Sequence, residues 1–195
     1  MGYWRDVFGI VTLNDESYKR VANDPRAFKR VFGYFLLSVF LLIGVIGLIV
    51  LFAASFIVAL FPESAQLLNA GAIIGTLFLV ALVVFPFIAF IAEYIVLLIP
   101  YGIGLLCGGK PKKYSDFFTV MLYPVPIMAP LVLILGQWAS GLYSIWFFVM
   151  LFKTYRIVHK LDAHRSGWAV GINALLYVIF FVTWLLMVIS LLSFV

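Results

Sequence analysis

Glu93 is the one acidic side chain inside a long apolar stretch of this chain. Placing a charged group at the centre of a membrane helix costs about 3 kcal/mol on insertion scales, so such groups usually face a bundle interior. One interpretation is a proton or cation site. The other is a structural contact with Tyr94, Asn173 or Tyr123 on a neighbouring helix. Transporters usually carry several such groups, so a single carboxyl favours the structural contact.

His159, Asp162 and His164 form the second group whose residue types could do chemistry. Metal-binding histidines often stand at i and i+4 on one helix face. These two stand five apart, about 140° around a helix, and the chain has no third histidine and only one cysteine, Cys107. We expect a solvated cytoplasmic loop here, with no metal site and no cofactor.

Enzymatic motifs do not emerge elsewhere. No histidine shares an apolar stretch with a serine, so no nucleophile–base pair can be assembled. The glycines before Lys110 lack the ordered spacing and the preceding strand of a phosphate-binding loop. We therefore expect a protein that is not an enzyme.

The distribution of positive charge predicts the elements that position these residues. All 13 Lys and Arg residues fall in three polar stretches, 5–30, 110–113 and 153–165. Two other breaks in the apolar sequence, 61–66 and 137–141, contain neither residue type. Basic residues stay on the cytoplasmic side of a membrane. The alternation predicts five crossings, with the N-terminus in the cytoplasm and the C-terminus outside.

Composition agrees with this topology, since 66% of the 195 residues are hydrophobic and 11% are charged. Soluble domains are far more polar, and a helix needs about 20 apolar residues to cross a bilayer. The predicted fold class is all-α, a polytopic membrane helical bundle in the cell membrane. Residues 1–24 form a cytoplasmic amphipathic segment, and residues 25–195 form a single domain of five transmembrane helices.

The amphipathic segment has two placements that the sequence leaves open. Its apolar residues recur at helical spacing while Asp6 and Gly9 lie off the stripe, which consists of Tyr3, Trp4, Val7, Phe8 and Val11. Such a helix can lie in the headgroup layer of the membrane. It can equally be a short helix packed against the bundle.

The bounds of the five spans follow from caps and prolines. Asp24 and Pro25 predict the start of the first helix, which runs to about Phe61. Leu67–Cys107 predicts one long span kinked near Pro86, because a turn there would leave unpaired backbone groups in lipid. Residues 117–152 predict two short spans that turn at 137–141. The fifth span covers 168–192.

Glycine pairs four residues apart allow close approach of membrane helices. Three pairs match this spacing: Gly71 with Gly75, Gly104 with Gly108, and Gly167 with Gly171. Because glycine is common in membrane helices, chance or internal packing is the favoured explanation, and a homo-oligomer seam is the alternative.

Several short motifs resemble, in their order and spacing, the Yip1 family of five-span membrane proteins over nearly the whole chain. They are Asn23-Asp24-Pro25 with Phe28, Gly108-Gly109-Lys110, Tyr114-Ser115-Asp116-Phe117, Tyr123 with Pro124 and Pro126, Ile145-Trp146, and His159-Lys160-Leu161. In that family a Gly-Gly-Lys-like turn leads into a Tyr…Pro third span, and a short basic loop follows the fourth.

The resemblance implies a non-enzymatic scaffold or adaptor. Eukaryotic members are implicated in vesicle traffic and associate with prenylated small GTPases. Their Asp-Leu-Tyr-Gly-Pro-like N-terminal motif is missing here, and the chain is similar to the shorter bacterial and archaeal branch. The alternative function is a small transporter or channel that uses Glu93.

A basic cytoplasmic face is the predicted working surface, because the outer connections are short. Its candidate residues are Lys110, Lys112, Lys113, Tyr114, Arg156 and His159, with Trp4, Tyr114 and Trp168 as aromatic anchors. The expected partners are anionic lipid headgroups and a protein that docks on this face. Positive-inside topology explains the net charge of +5, so no nucleic-acid partner is expected.

Overall fold

The computed structural model describes residues 2–60 and 67–192. Within its helices, the side chains of residues 57–59, 67–77, 79, 129 and 132–140 lie outside the description. The described residues form helices without strands, which confirms the all-α class. The helices are α1 (Tyr3–Val11), α2 (Asp15–Asn23), α3 (Ala27–Leu60), α4 (Leu67–Val96), α5 (Leu98–Leu106), α6 (Tyr114–Leu122), α7 (Val125–Ile157) and α8 (Ala163–Leu192).

Three helical stretches of the described residues are long and apolar enough to cross a membrane. They are Ala27–Phe56, Val80–Leu106 and Ala163–Leu192. Few of their side chains are buried inside the molecule, as expected for helices that meet lipid over most of their surface. The chain is therefore an all-helical membrane protein.

Asp24 sets the start of α3. Its Oδ1 atom accepts a hydrogen bond from the Arg26 backbone N–H at 2.9 Å, and its backbone carbonyl accepts one from Ala27 at 3.0 Å. The same carboxylate pairs with Arg30 at 3.0 Å. The predicted cap is confirmed, and the regular helix begins two residues after Pro25.

Helix α4 continues through Pro86, so the prediction that no turn divides this region is confirmed. The helix is interrupted at Leu97, between α4 and α5. Pro100 has no N–H to bond the carbonyl of Val96 four residues earlier, and its ring crowds that carbonyl. The break therefore lies one turn before the second proline of the stretch.

Helices α3 and α4 run antiparallel and touch closely at two levels. Gly47 of α3 lies against the Phe78 ring, where a Cβ would come within 1.9 Å of the ring. Toward the start of α3, the Phe32 and Phe90 rings meet edge to face with centroids 4.7 Å apart. The hairpin they form positions the end of α4 beside the first turns of α3.

The segment α7 does not run straight between its ends. Thr154 Oγ1, near its end, donates to Met121 Sδ at 3.4 Å, and Met121 lies just before its start. A straight helix from residue 125 to residue 154 would be about 44 Å long. The segment therefore bends back, and both of its ends lie at one end of the bundle. The structure marks no break within it, so the predicted turn at 137–141 stays a prediction.

The glycine pairs differ in their contacts. A Cβ on Gly167 or Gly171 would meet nothing within 4 Å, so internal packing does not explain this pair. Contacts of Gly71 and Gly75 lie outside the described residues. The pair Gly104 and Gly108 does make close approaches: a Cβ on Gly104 would lie 2.8 Å from the Tyr155 ring and 2.9 Å from the His159 imidazole, and one on Gly108 would lie 2.8 Å from the Arg165 guanidinium. Outside these pairs, Gly47 packs against an aromatic ring of the neighbouring helix.

Candidate functional site: the basic end of the bundle

Polar bonds join the three basic stretches of the sequence at one end of the molecule. Lys153 pairs with Asp15, and Lys112 Nζ donates to Asn23 Oδ1 at 2.9 Å. The Lys110 backbone N–H donates to the carbonyl oxygen of His159 at 2.8 Å. We call this region the basic end: residues 2–30, which include α1 and α2, residues 107–113 and residues 153–165.

Helix α1 packs against the bundle, as one of its two predicted placements requires. The Tyr3 ring stacks on Tyr34 with centroids 3.8 Å apart, and its hydroxyl donates to the Tyr123 carbonyl at 3.2 Å. Trp4 meets the same Tyr34 ring edge to face, with centroids 5.8 Å apart, yet is 50% exposed. Phe8 is 60% exposed. The helix therefore contacts the bundle and still presents two aromatic side chains at the surface.

Asp6 lies on the buried face of α1, so the predicted stripe was wrong at this position. Its carboxylate is 4% exposed and accepts a hydrogen bond from Arg20 Nε at 2.7 Å. A buried carboxylate is tolerated when it is paired and hydrogen-bonded. The pair holds α1 to α2, which a hydrophobicity pattern cannot indicate.

Positive charge exceeds negative charge across this end. Four cations have ion pairs among the described residues: Arg20, Arg30, Lys153 and Arg165. The hydrogen bond from Lys153 lowers the pKa of the Asp15 carboxyl, so that pair stays charged. Nine cations of the described chain lack an ion pair, namely Arg5, Lys19, Arg26, Lys29, Lys110, Lys112, Lys113, Arg156 and Lys160.

His159 is fully buried, so its prediction as a residue of a solvated loop and surface was wrong. Its Nδ1 atom lies 3.3 Å from the Lys110 carbonyl oxygen. Gly109 allows this approach, since a Cβ there would lie 2.9 Å from that of His159. Burial lowers the pKa of the imidazole, while the Lys110 carbonyl opposes the shift. The neutral ring joins the 107–113 turn to the end of α7.

Tyr114 also turns inward, which corrects its prediction as a surface anchor. Its hydroxyl donates to the Tyr94 carbonyl, and its ring meets the Tyr94 and Tyr101 rings edge to face. Burial raises the pKa of its phenol. Trp168 is 63% exposed, so it and Trp4 are the predicted anchors that reach the surface.

Glu93 makes none of the three predicted contacts. Asn173 instead donates to the Tyr155 hydroxyl at 2.7 Å and to a carbonyl of its own helix, and the hydroxyl of Tyr123 has no partner among the described residues. Glu93 is exposed. It lies one turn beyond Phe90, whose ring meets Phe28 in the first turn of α3, and therefore toward the basic end.

The other members of the His/Asp group serve local structure. Asp162 Oδ1 accepts a hydrogen bond from the Arg165 backbone N–H at 2.8 Å and caps α8. His164 Nε2 accepts one from Trp168 Nε1 at 3.3 Å. Within the described parts of the chain, no three His, Cys, Asp or Glu side chains converge on one point.

Sequence reasoning missed a buried network behind the basic end. Tyr155 is fully buried and its hydroxyl donates to the Pro100 carbonyl at 2.7 Å while it accepts from Asn173. The signal was a lone asparagine in the apolar sequence of α8, which in a membrane helix indicates an interhelical hydrogen bond. This network joins α5, α7 and α8 beneath the surface.

Neither a family model, nor a curated protein, nor a solved structure matches this chain.

Proposed function

We propose that this protein is a non-enzymatic scaffold or adaptor of the cell membrane that works through its basic end. The carrying observation is that three distant basic segments are hydrogen-bonded into one surface, with nine cations lacking an ion pair. A fixed, positively charged surface attracts anionic headgroups at about 1 kcal/mol per well-placed cation. It also offers Trp4 and Trp168 as exposed aromatic contacts for a protein partner.

The proposed topology has five spans of the Yip1 type, with the basic end in the cytoplasm and the C-terminus outside. Three of the spans are the long apolar helices. The other two are the limbs of α7, and the Thr154–Met121 contact supports them because it returns the end of α7 to its starting level. An odd number of crossings then puts the end of α8 opposite the basic end.

The transport alternative draws less support from the geometry. A carrier needs its ionisable group on a wet path near the bilayer midplane. Glu93 lies beside the first turns of α3, where a carboxyl can extend toward the headgroup layer.

Lipid analysis of purified protein tests the scaffold proposal. Lys29, Lys113 and Arg156 lack ion pairs in the described structure, so replacing them with glutamine lowers the charge without breaking a bond. We expect the wild type to co-purify with anionic lipid enriched over the membrane average, and the triple variant to lose most of that enrichment. Glu16→Gln with Asp116→Asn is the control of opposite sign and should increase it.

A partner protein is sought in the same preparations by mass spectrometry. The proposal is wrong if a correctly inserted triple variant keeps both the lipid enrichment and every co-purifying protein of the wild type.

A further inference from the structure

An apolar groove of about 350 Å³ opens on the side of the bundle, next to the basic end. One wall is α3 from Tyr34 to Val45, and the other is the start of α7 at Pro126 and Pro130. Trp4 of α1 lies at the end of the groove formed by Tyr34, next to the basic end. The two prolines stand four apart and therefore on one helix face. Their compact rings leave the space that longer side chains would fill.

The length of the groove matches one membrane leaflet. From Tyr34 to Val45 the helix rises by eleven steps, about 16 Å, and half of a hydrocarbon core of about 30 Å is about 15 Å. The groove begins one turn after Arg30, where α3 leaves the basic end. It then extends along α3 in the direction of the opposite end, so its axis runs along the membrane normal as an acyl chain does.

The chemistry changes from cationic to apolar along this path. Arg5 follows Trp4 in α1 and is exposed, without an ion pair among the described residues. Arg30 lies on the Tyr34 side of α3, with its charge shared with Asp24. Beyond Tyr34 the wall is formed by aliphatic side chains, and Ser38 is the one hydroxyl among them. Positive charge at the mouth and a dry channel behind it complement an anionic headgroup joined to a hydrocarbon chain.

We propose that this groove holds an acyl chain of an anionic glycerophospholipid of the cytoplasmic leaflet, with its headgroup at Arg5. The inference rests on the proposed function, whose lipid partner it assigns to a specific place. It differs from a diffuse attraction to the basic end because one chain sits between α3 and α7. The bound lipid then links α1 to the two helices that form the groove.

Quenching of Trp4 fluorescence by brominated lipid tests this assignment. The full chain is placed in nanodiscs of phosphatidylcholine with a small fraction of chain-brominated phosphatidylglycerol, or with the two headgroups exchanged. The Trp4 contribution is the difference between the wild type and Trp4→Phe. We expect the affinity of the brominated anionic lipid for the site at Trp4 to be at least about fivefold that of the brominated zwitterionic lipid. One well-placed cation changes the affinity for an anionic headgroup by about this factor.

Two variants separate chain from headgroup. Ser38→Phe fills the groove and should remove the preference at Trp4, and Arg5→Gln should reduce it about fivefold. Val50→Phe introduces the same ring at an exposed position of α3 outside the groove and should leave the preference unchanged. Ser38→Leu serves the same purpose if the larger ring prevents folding.

Equal quenching by the two lipids, or a preference that survives both groove-filling variants, would overturn the assignment. In that case anionic enrichment that still depends on Lys29, Lys113 and Arg156 would leave the scaffold proposal standing. If the enrichment no longer depends on those three cations but the preference at Trp4 is retained, the scaffold proposal is wrong and the lipid assignment to the groove stands.

Discussion

At the scale of single residues, His159 shows how a polar side chain can hold a membrane protein's soluble end together. The neutral ring bonds the Lys110 carbonyl through Nδ1, and its Nε2 atom is buried without a partner among the described residues. Tyr101, Phe117 and Tyr155 surround it with aromatic rings. A second proton would place a cation and an unpaired N–H donor in this site, at a substantial desolvation cost.

The first prediction is therefore that acid weakens the basic end through His159. Burial lowers the folded-state pKa below the unfolded value of about 6.5, so below that pH the unfolded chain binds more protons. Stability should be full above about pH 6.5 and fall as the pH drops toward the folded pKa, by at most about 1.4 kcal/mol per pH unit. Thermal unfolding in detergent across this range measures the effect.

His159→Gln is the informative variant, and His164→Gln is its exposed control. The first should be less stable at pH 7.5, by about 1–3 kcal/mol for a lost buried hydrogen bond, and should show a flatter pH dependence. The control should keep the wild-type slope. Identical slopes in all three proteins would contradict the prediction.

At the scale of elements, prolines and caps explain what the sequence predicted well. Asp24 begins α3 because its side chain and carbonyl satisfy backbone donors there, and Pro86 is tolerated because the rest of α4 continues its hydrogen bonds. Local rules of this kind depend on neighbours within one turn. They predicted the three long apolar helices and the continuity of α4 through Pro86.

Long-range contacts account for the residues whose predictions failed. Asp6 is buried because Arg20 of the next helix reaches it, and His159 is buried because Gly104 of α5 and Gly109 of the following turn make room for its ring. Tyr114 turns inward toward a carbonyl of α4. A charged or polar residue in a basic stretch looks exposed until its partner is known, and the partners of these three residues lie 14, 49 and 20 residues away.

The second prediction concerns the contact between α3 and α4. Gly47→Leu would force the Phe78 ring and the two helices apart, because even a Cβ would come within 1.9 Å of that ring. We expect a loss of about 1–3 kcal/mol, the usual cost of overpacking, seen as a lower unfolding temperature. Gly44→Leu, three residues earlier, meets nothing within 4 Å and should cost little.

Pairing the substitution with Phe78→Ala tests whether the ring itself is responsible. The double variant Gly47→Leu/Phe78→Ala should recover part of the stability lost by Gly47→Leu alone, since the two sites are in contact and couple. Strict additivity of the two single effects would show that the ring is not the obstacle.

At the scale of the whole molecule, the charge pattern and the fold describe the same polarity. The three basic stretches lie far apart in sequence, yet Lys153 reaches Asp15, 138 residues away, and Lys112 reaches Asn23, 89 residues away. A bundle whose cations all gather at one end has a strong preference for one orientation in the membrane. Two features therefore favour one orientation: the order of the basic stretches along the sequence, and the bonds that hold them at one end of the bundle.

The last prediction tests that orientation and the number of crossings together. In a Cys107→Ala background, Pro111→Cys lies in the exposed turn of the basic end, and Gly141→Cys lies at an exposed position in the middle of α7. Five spans require a membrane-impermeant maleimide to label position 141 on intact cells and position 111 only after lysis. Ser64→Cys, between α3 and α4, should behave like position 141.

Labelling of position 111 on intact cells would show that the orientation is the reverse of the one proposed. Labelling of position 141 only after lysis would mean that the limbs of α7 do not cross the bilayer. The chain would then have three spans, with the bent α7 held at the cytoplasmic surface.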